Sequence, residues 1–434
     1  MNPSATDQSQ PTAAIETHGC KLNIADSAEL AAQLMSAGYR LVGEDGPADV
    51  YIVNTCTVTH VADRKARKAL RGARERNPTA TVVATGCFAQ RSPVALGKIP
   101  GVDIVAGNTA KPDLVQRIVE GGGRMAERPA AHPMTIAPRA FRTRATIKIQ
   151  EGCDQVCAYC IVPRVRGRER SIPAGDIVSR ISSHVAEGYM EIVLTGTQLG
   201  SYGFDLEGMD LKGLVRRILS ECAMPRLRMS SLQAQEIGPD ILALWSDSRL
   251  APHFHIPLQS GSDAVLARMR RRYTASRYLE AVGLVRRSVP GVSITTDVIV
   301  GFPGETDADF EATFSLCERV GFAGIHVFPY SQRPGTSATH YVDQLDDGVK
   351  RERMARLLEL AGRSAAEYRD GLFGAVRQVL WENPRLVNGE QHWAGLTDNY
   401  VRVIAPSPQD LGNRITGARL LRDSRDGVVA EVMG

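Results

Sequence analysis

Twice along this chain, from Ala13 to Gly122 and again from Ala145 to Asp370, short β-branched runs alternate with stretches of helical periodicity. In the first part AAIET, DVYIVNT, ATVVATG and VDIVAG read as strands, with NIADSAELAAQLMSAG, VADRKARKALRGARER and KPDLVQRIVEGG as the helices between them. Such alternation leaves few choices, because each helix must carry the chain back across the sheet. The strands therefore run parallel, and both parts are expected to be α/β. The second part offers six strands, ATIKIQ, EIVLTG, RLRMSS, HFHIPL, SITTDVIVGF and GIHVFPYS. Six parallel strands suit a barrel or an open partial barrel, with chemistry gathered at their carboxyl ends.

After about Leu372 the texture changes to VRQVLWENP, GEQHWAGLTDN, YVRVIAPSP, GNRITGARLLRD and GVVAEVM, the pattern of a small β-barrel. The stretch GGGRMAERPAAHPMTIAPRAFRTR loses periodicity and reads as a linker. The expected division is a disordered start 1–12, an α/β domain 13–122, a linker 123–143, a partial barrel 144–371 and a β-barrel 372–434. A chain of 434 residues needs several cores in any case. No apolar run approaches the ~20 residues that span a bilayer, and the start MNPSATDQSQPTAA is polar, so a cytoplasmic protein without a membrane partner is expected. The net charge of +4 is small for this length, which leaves any affinity for a polyanion to local patches.

Eight cysteines in a cytoplasmic chain point to metal or catalytic use rather than disulfides. Cys222 and Cys317 sit singly in helix-like segments and read as small buried apolar residues. Cys153, Cys157 and Cys160 form C-x3-C-x2-C in the loop after the first strand of the second part. A structural zinc site would need a fourth ligand from elsewhere in the fold. Three thiolates on a 4Fe-4S cube would instead leave one iron open. Cys20, Cys56 and Cys87 are far apart in sequence, yet each lies at the carboxyl end of an expected strand. Those ends share one edge of a parallel sheet, so the thiols can converge on a second three-thiolate site. Zinc completed by His18 is the alternative for that set.

The stretch EGCDQVCAYCIVPRVRGRERS, with Tyr159 just before the last cysteine, carries a resemblance. From about Arg144 to Asp370 the chain resembles a radical S-adenosylmethionine (SAM) domain. With both cysteine triads and the β-rich tail, almost the whole chain resembles the methylthiotransferases of that superfamily: an N-terminal methylthiotransferase domain, the radical domain and a C-terminal domain of the TRAM type. The resemblance implies two 4Fe-4S clusters, one on Cys153, Cys157 and Cys160 and an auxiliary one on Cys20, Cys56 and Cys87. It implies SAM both as radical source and as methyl donor, an external electron donor and an external sulfur source. Gly196, Thr197 and Gln198 of LTGTQLGSYG, Gln259 of HIPLQSGSD and Asp297 of TDVIVGFPGET are the expected cofactor rim, although any one of them is also ordinary strand-end turn chemistry.

Family substrates are adenosine next to the tRNA anticodon, bearing an isopentenyl or a threonylcarbamoyl group, and an aspartate of a ribosomal protein. KIQEGCDQVCAYCIVPRVRGRERS, EIVLTGTQLGSYG, HIPLQSGSDAVLARMRRRYT, TDVIVGFPGET and YSQRPGTSA resemble the threonylcarbamoyl branch. The departure is RMSSLQAQEI, where that branch has an acidic residue and a proline at the places of Gln233 and Ala234. Arg64, Arg67, Arg71 and Arg74 make a stripe at helical spacing that phosphates can follow, or simply a solvated face. Arg268 with Arg270 to Arg272, and the arginines of PRVRGRERS, invite the same two readings; Trp393 and Tyr400 are either base-stacking or core aromatics. A reading of another class is a non-catalytic RNA-binding protein with zinc in both cysteine sets.

Overall fold

The structure, a computed structural model, describes residues 10–121, 143–387 and 389–433. Positions 1–9 of the segment expected to be disordered, and 123–142 of the expected linker, lie outside them. The described residues form two compact units: that part of 1–139 with 152–154 and 160–168, and that part of 140–151 with 155–159 and 169–434.

The first unit is built on a parallel sheet of β1 (Thr12–Thr17), β2 (Arg40–Leu41), β3 (Val50–Thr55), β4 (Thr81–Gly86) and β5 (Ile104–Ala106), in the order β2-β1-β3-β4-β5. β3, in the middle, is buried at all six positions. Its sequence VYIVNT is accordingly apolar on successive residues rather than alternate ones, as a strand covered on both faces must be. Ile52 and Val83 pack with Leu30, Leu34 and Leu114 on one face. Tyr51, Val53 and Val82 pack with Ala66, Leu70 and Ala73 on the other. The first of these layers draws on helix α1 (Lys21–Ser36) and the second on α2 (His60–Arg76), whose N-terminus is capped by the Thr59 hydroxyl accepting from Ala62 N–H. A short α3 (Cys87–Arg91) follows β4 directly.

In the second unit six parallel strands lie in chain order in two sheets. They are β6 (Arg144–Lys148), β9 (Glu191–Thr195) and β10 (Arg226–Met229), then β11 (His253–His255), β12 (Ser293–Val300) and β13 (Gly324–Pro329). Isolated parallel bridges, Leu227 to Leu250 and Ser231 to His255, join the two halves, giving the expected open partial barrel. The two-residue strands β7 (Gln150–Glu151) and β8 (Arg170–Ser171) pair antiparallel at the base of the cysteine loop. Along β12 burial alternates: Ile294, Thr296, Val298 and Val300 are buried, while Thr295, Asp297 and Ile299 lie on the other, half-open face.

The tail forms a closed barrel of β14 (Val376–Val387), β15 (Glu390–Thr397), β16 (Arg402–Pro406), β17 (Ile415–Arg422) and β18 (Val428–Val432). Its centre holds Val379, Trp381, Trp393, Val403 and Leu420. This barrel is fastened to the α/β strands of its own unit. Ser293 Oγ donates to Asn399 O at 2.6 Å, Arg226 Nη2 to Gln378 O at 3.0 Å, and Arg144 pairs with Glu382. Tyr400, at φ 70°, stacks on His253 with 4.7 Å between ring centroids and lies under the Arg228 guanidinium at 4.8 Å. Among the described residues no helix is long and apolar enough to cross a membrane.

Candidate metal centres

Cys20 starts α1, Cys56 follows β3 and Cys87 starts α3, so the three thiols stand at the carboxyl ends of β1, β3 and β4, which are neighbours in the sheet. The turns are tight enough to require glycine. A Cβ on Gly19, at φ +99°, would lie 2.6 Å from Cys56 Cβ, and one on Gly86, at φ +91°, would collide with Thr55 O. Asn23 ties two of the ends together, its Nδ2 donating to His18 O at 2.6 Å and to Thr55 O at 3.2 Å. Burial pushes the Cys56 thiol up to about 11, and the neighbouring Cys87 and Cys20 add to the rise. Left alone, that group stays a thiol; a metal is what would hold it as thiolate.

The same edge is incomplete as protein alone. Asn54 Oδ1, Thr85 Oγ1, Gln90 Oε1 and Asn108 Oδ1 are buried without partners. Of these only the Thr85 hydroxyl can donate to sulfur; it is the donor set itself, three soft sulfur ligands at one sheet edge, that fits an iron–sulfur cluster. His18 keeps one feature of a zinc ligand, since Glu16 Oε1 engages its Nε2 at 2.8 Å and its buried Nδ1 has no partner; ligand spacing is what weighs against zinc here. Among the described residues, the three-ligand spacing for a single ion is met by His255, Asp297 and His326, not by the cysteines.

A buried ionic group supports this edge from behind. Asp26 Oδ2 accepts from Lys111 Nζ at 2.6 Å and from Arg166 Nη2 at 3.1 Å, and Arg166 also reaches Asn23 Oδ1 at 2.5 Å. Asn108 Nδ2 donates to Val165 O at 2.7 Å and approaches Cys87 Sγ at 3.6 Å, while Ile161 and Val165 pack on Cys87. Arg166 is therefore neither a solvated nor a phosphate-facing arginine. Charge burial decides its place, since a guanidinium inside a protein needs a carboxylate and hydrogen-bond acceptors, and Asp26 with Asn23 provides them. Nothing in the local sequence hints at this, because the partners are 140 residues apart.

Of the loop cysteines, Cys153 and Cys160 belong to the first unit and Cys157 to the second. Cys153 N–H donates to Gly167 O at 3.2 Å. Cys157 Sγ accepts from Arg271 Nη1 at 3.5 Å, and the next residue is fixed by Ala158 N–H donating to Met269 O at 2.9 Å. Tyr159 packs edge-on to Phe302, 6.5 Å between centroids.

The expected rim residues divide. Gly196 follows β9 where a Cβ would come within 3.0 Å of Gln150 Oε1; Thr197 Oγ1 is buried without a partner; Gln198 N–H donates to Gln150 Oε1 at 2.9 Å. Gln259 is buried and sits at φ 65°, a conformation that a side-chain-bearing residue adopts only when its surroundings impose it. Asp297 lies within β12 rather than at its end. Its carboxylate accepts from His326 Nδ1 at 3.0 Å and pairs with His255 Nε2 at 3.2 Å. Burial works against its charge, but the two imidazoles outweigh that and hold the carboxyl well below the usual range.

The basic segments are largely used inside the molecule. Arg67 lies over Phe88 at 5.0 Å, and Arg74 pairs with Asp103 at 2.5 Å, which leaves Arg64 and Arg71 exposed on that stripe. Arg268 donates to Pro303 O at 3.0 Å and Arg271 turns inward to Cys157; Arg270 and Arg272 are exposed. Arg168 pairs with Asp154 and Arg170 with Glu151, 3.1 and 3.0 Å. Trp393 is core.

Residues 12–107 match the model of an uncharacterized protein family, UPF0004, and residues 147–317 match that of the radical SAM superfamily. The threonylcarbamoyladenosine tRNA methylthiotransferase MtaB of Bacillus subtilis (strain 168) is 36% identical, over 95% of this chain and 94% of the relative. The protein of the same name from Thermotoga maritima is 41% identical over 86% of each chain. A tRNA-2-methylthio-N(6)-dimethylallyladenosine synthase from Moorella thermoacetica is 35% identical over 96% of this chain and 97% of the relative. Among solved structures, the radical SAM methyltransferase TsrM from Kitasatospora setae, with cobalamin and a [4Fe-4S] cluster bound, shares the fold. Its TM-score is 0.55 at 14% identity, over 85% of this chain and 77% of that one.

Proposed function

This chain belongs to the radical SAM methylthiotransferase family, and we propose that it converts N6-threonylcarbamoyladenosine next to a tRNA anticodon into its 2-methylthio derivative, working in the cytoplasm. What supports this substrate is that the relative of that name from Thermotoga maritima reaches 41% identity, against 35% for the Moorella thermoacetica relative named for dimethylallyladenosine. When bound, the two clusters and SAM supply the 5′-deoxyadenosyl radical, the inserted sulfur and the methyl group.

The chain's own residues have definable tasks. By their spacing, Cys153, Cys157 and Cys160 hold the radical cluster. Cys20, Cys56 and Cys87 hold the auxiliary cluster at the sheet edge, where Asn108 Nδ2 approaches the Cys87 sulfur. Gly196 lets the chain after β9 pass close to Gln150, whose Oε1 orients the Gln198 amide; together with Thr197 and Gln259 these make the SAM rim. Asp297 sets the two imidazoles of His255 and His326 on the half-open face of the strands. Arg64, Arg71, Arg270 and Arg272 are among the exposed cations that tRNA phosphates can reach.

The relatives named for dimethylallyladenosine keep the isopentenyl nucleoside as a second reading. The test is nucleoside mass analysis after the reconstituted enzyme, SAM, sulfide and a reductant act on separate tRNAs carrying each adenosine. Gain of a methylthio group on the threonylcarbamoyl nucleoside is the expected result. Gain on the isopentenyl one alone would transfer the assignment, and colourless protein holding zinc would end it.

A further inference from the structure

Three neighbouring strands of the second unit each send one side chain to the same point. His255 ends β11, Asp297 lies within β12 and His326 within β13; in the parallel register His255 pairs with Thr295, and Asp297 with His326. Cross-strand partners share a face, so these side chains stand on the half-open side of the sheet, opposite the buried Ile294 and Val298. There Asp297 Oδ2 lies 3.2 Å from His255 Nε2 and Oδ1 lies 3.0 Å from His326 Nδ1, with 5.7 Å between the imidazole centroids. One ligand atom from each residue falls within 4.8 Å of the others.

These separations suit an ion. Bonds of ~2.0–2.1 Å to nitrogen and carboxylate oxygen place the ligands of a tetrahedral zinc site ~3.3 Å apart, close to the two spacings above. Hydrogen bonds reach the same lengths, so the tautomer of His255 decides. The Thr295 hydroxyl stands behind that ring, 3.0 Å from His255 Nδ1 and 3.2 Å from His253 Nε2. Where His255 Nδ1–H donates to this hydroxyl, the Nε2 lone pair is turned on the Asp297 carboxylate, and a cation between the two makes that contact favourable. In the opposite tautomer Nε2–H donates to Asp297 and the cluster takes no ion. Ligating histidines are held in the first way, by a partner on the other ring nitrogen. Two imidazoles and one carboxylate select a borderline divalent ion over magnesium or calcium, which prefer oxygen throughout. The His326 side chain is 62% exposed, so a further coordination position can be reached from its side. Phe328, next along the same face of β13, is 42% exposed and offers a ring on which a base can stack.

We propose that His255 Nε2, an Asp297 oxygen and His326 Nδ1 hold one divalent ion of the zinc class, whose open position takes an anionic oxygen of the substrate. None of the three ligands is a cysteine, so the site shares no ligand with either triad. The metal site stands whichever nucleoside is modified. Naming its oxygen ligand rests on the threonylcarbamoyl reading: of the two nucleosides only that one carries a carboxylate, and an ion here would favour it over the isopentenyl one.

The test uses the full chain with both clusters reconstituted, so that the cysteines are already engaged, and reads iron and zinc together. After equilibration with zinc and gel filtration, the wild type should keep about one zinc per chain with its iron unchanged. Asp297→Asn and His326→Ala should each lose that zinc at the same iron content. Thr295→Val, which removes only the hydroxyl behind His255, should weaken zinc binding about tenfold. His326 is exposed, so its replacement leaves the core intact and decides the matter if Asp297→Asn does not fold. No retained zinc in the wild type overturns the proposal, as does equal zinc in wild type and His326→Ala. Zinc should also tighten binding of the free nucleoside N6-threonylcarbamoyladenosine about tenfold and leave N6-isopentenyladenosine unchanged. Zinc held without that difference overturns the substrate ligand. Methylthio product on the isopentenyl tRNA alone, with zinc retained, would instead move the nucleoside assignment and leave the metal site standing.

Discussion

Cys153, Cys157 and Cys160 come from one loop, eight residues from first to last, whereas Cys20, Cys56 and Cys87 come from three strand ends, each more than thirty residues from the next. The first set owes its spacing to covalent geometry. The second exists only when β1, β3 and β4 lie side by side with their turns closed. A site gathered from three strand ends depends at every ligand on the sheet beneath it, while the ligands of the loop site stay within eight residues of one another along the chain whatever the sheet does. The two triads should therefore respond differently to the same kinds of damage.

The largest effect should come from removing the thiols. Replacing Cys20, Cys56 and Cys87 together by alanine should lower iron from about eight to about four per chain. Some SAM cleavage should remain while methylthio product disappears; Cys157→Ala should abolish both. Methylthio product from either variant would break the division of roles. Next, Leu70→Ala, in a fully buried site under the sheet, should cost about 2–5 kcal/mol. Its iron should fall toward half while SAM cleavage persists, and equal loss from both sites would remove the contrast. Gly19→Ala acts more locally. Its Cβ would strike Cys56 from a φ that disfavours side chains, so slower reconstitution of the auxiliary cluster is expected, with circular dichroism unchanged. The smallest effect is reserved for Cys222→Ser. That thiol is buried between Ser182 Oγ at 3.7 Å and Val178 O at 3.8 Å, so iron and sulfide content should not change.

The architecture was legible wherever burial imposes a pattern. The unbroken apolar run of β3 marks a strand covered on both faces, and the alternation along β12 marks one covered on a single face. Two-residue strands such as β2 and β7 carry no such signal, because they are too short to show a period. β11 ends at His255, short of the expected HFHIPL, where Pro257 lacks the N–H that a ladder needs. At the candidate site the cysteines could be placed because strand ends share an edge in a parallel sheet. Arg166 and Arg271 could not, since local sequence shows a basic loop in both cases and only the distant partners, Asp26 and Cys157, turn the side chains inward.

The Asn399–Tyr400 turn has a practical consequence for anyone preparing fragments or hybrids of this protein. Because it wedges Tyr400 against His253 and Arg228 and receives the Ser293 hydroxyl, the tail is a keystone rather than a detachable accessory. A chain cut at Leu372 would unstack His253, and a tail grafted from a relative would fit only if it brought its own wedge. Body and tail of that unit are in that sense one inheritable part, and a join between family members placed downstream of β13 would have to keep this wedge intact.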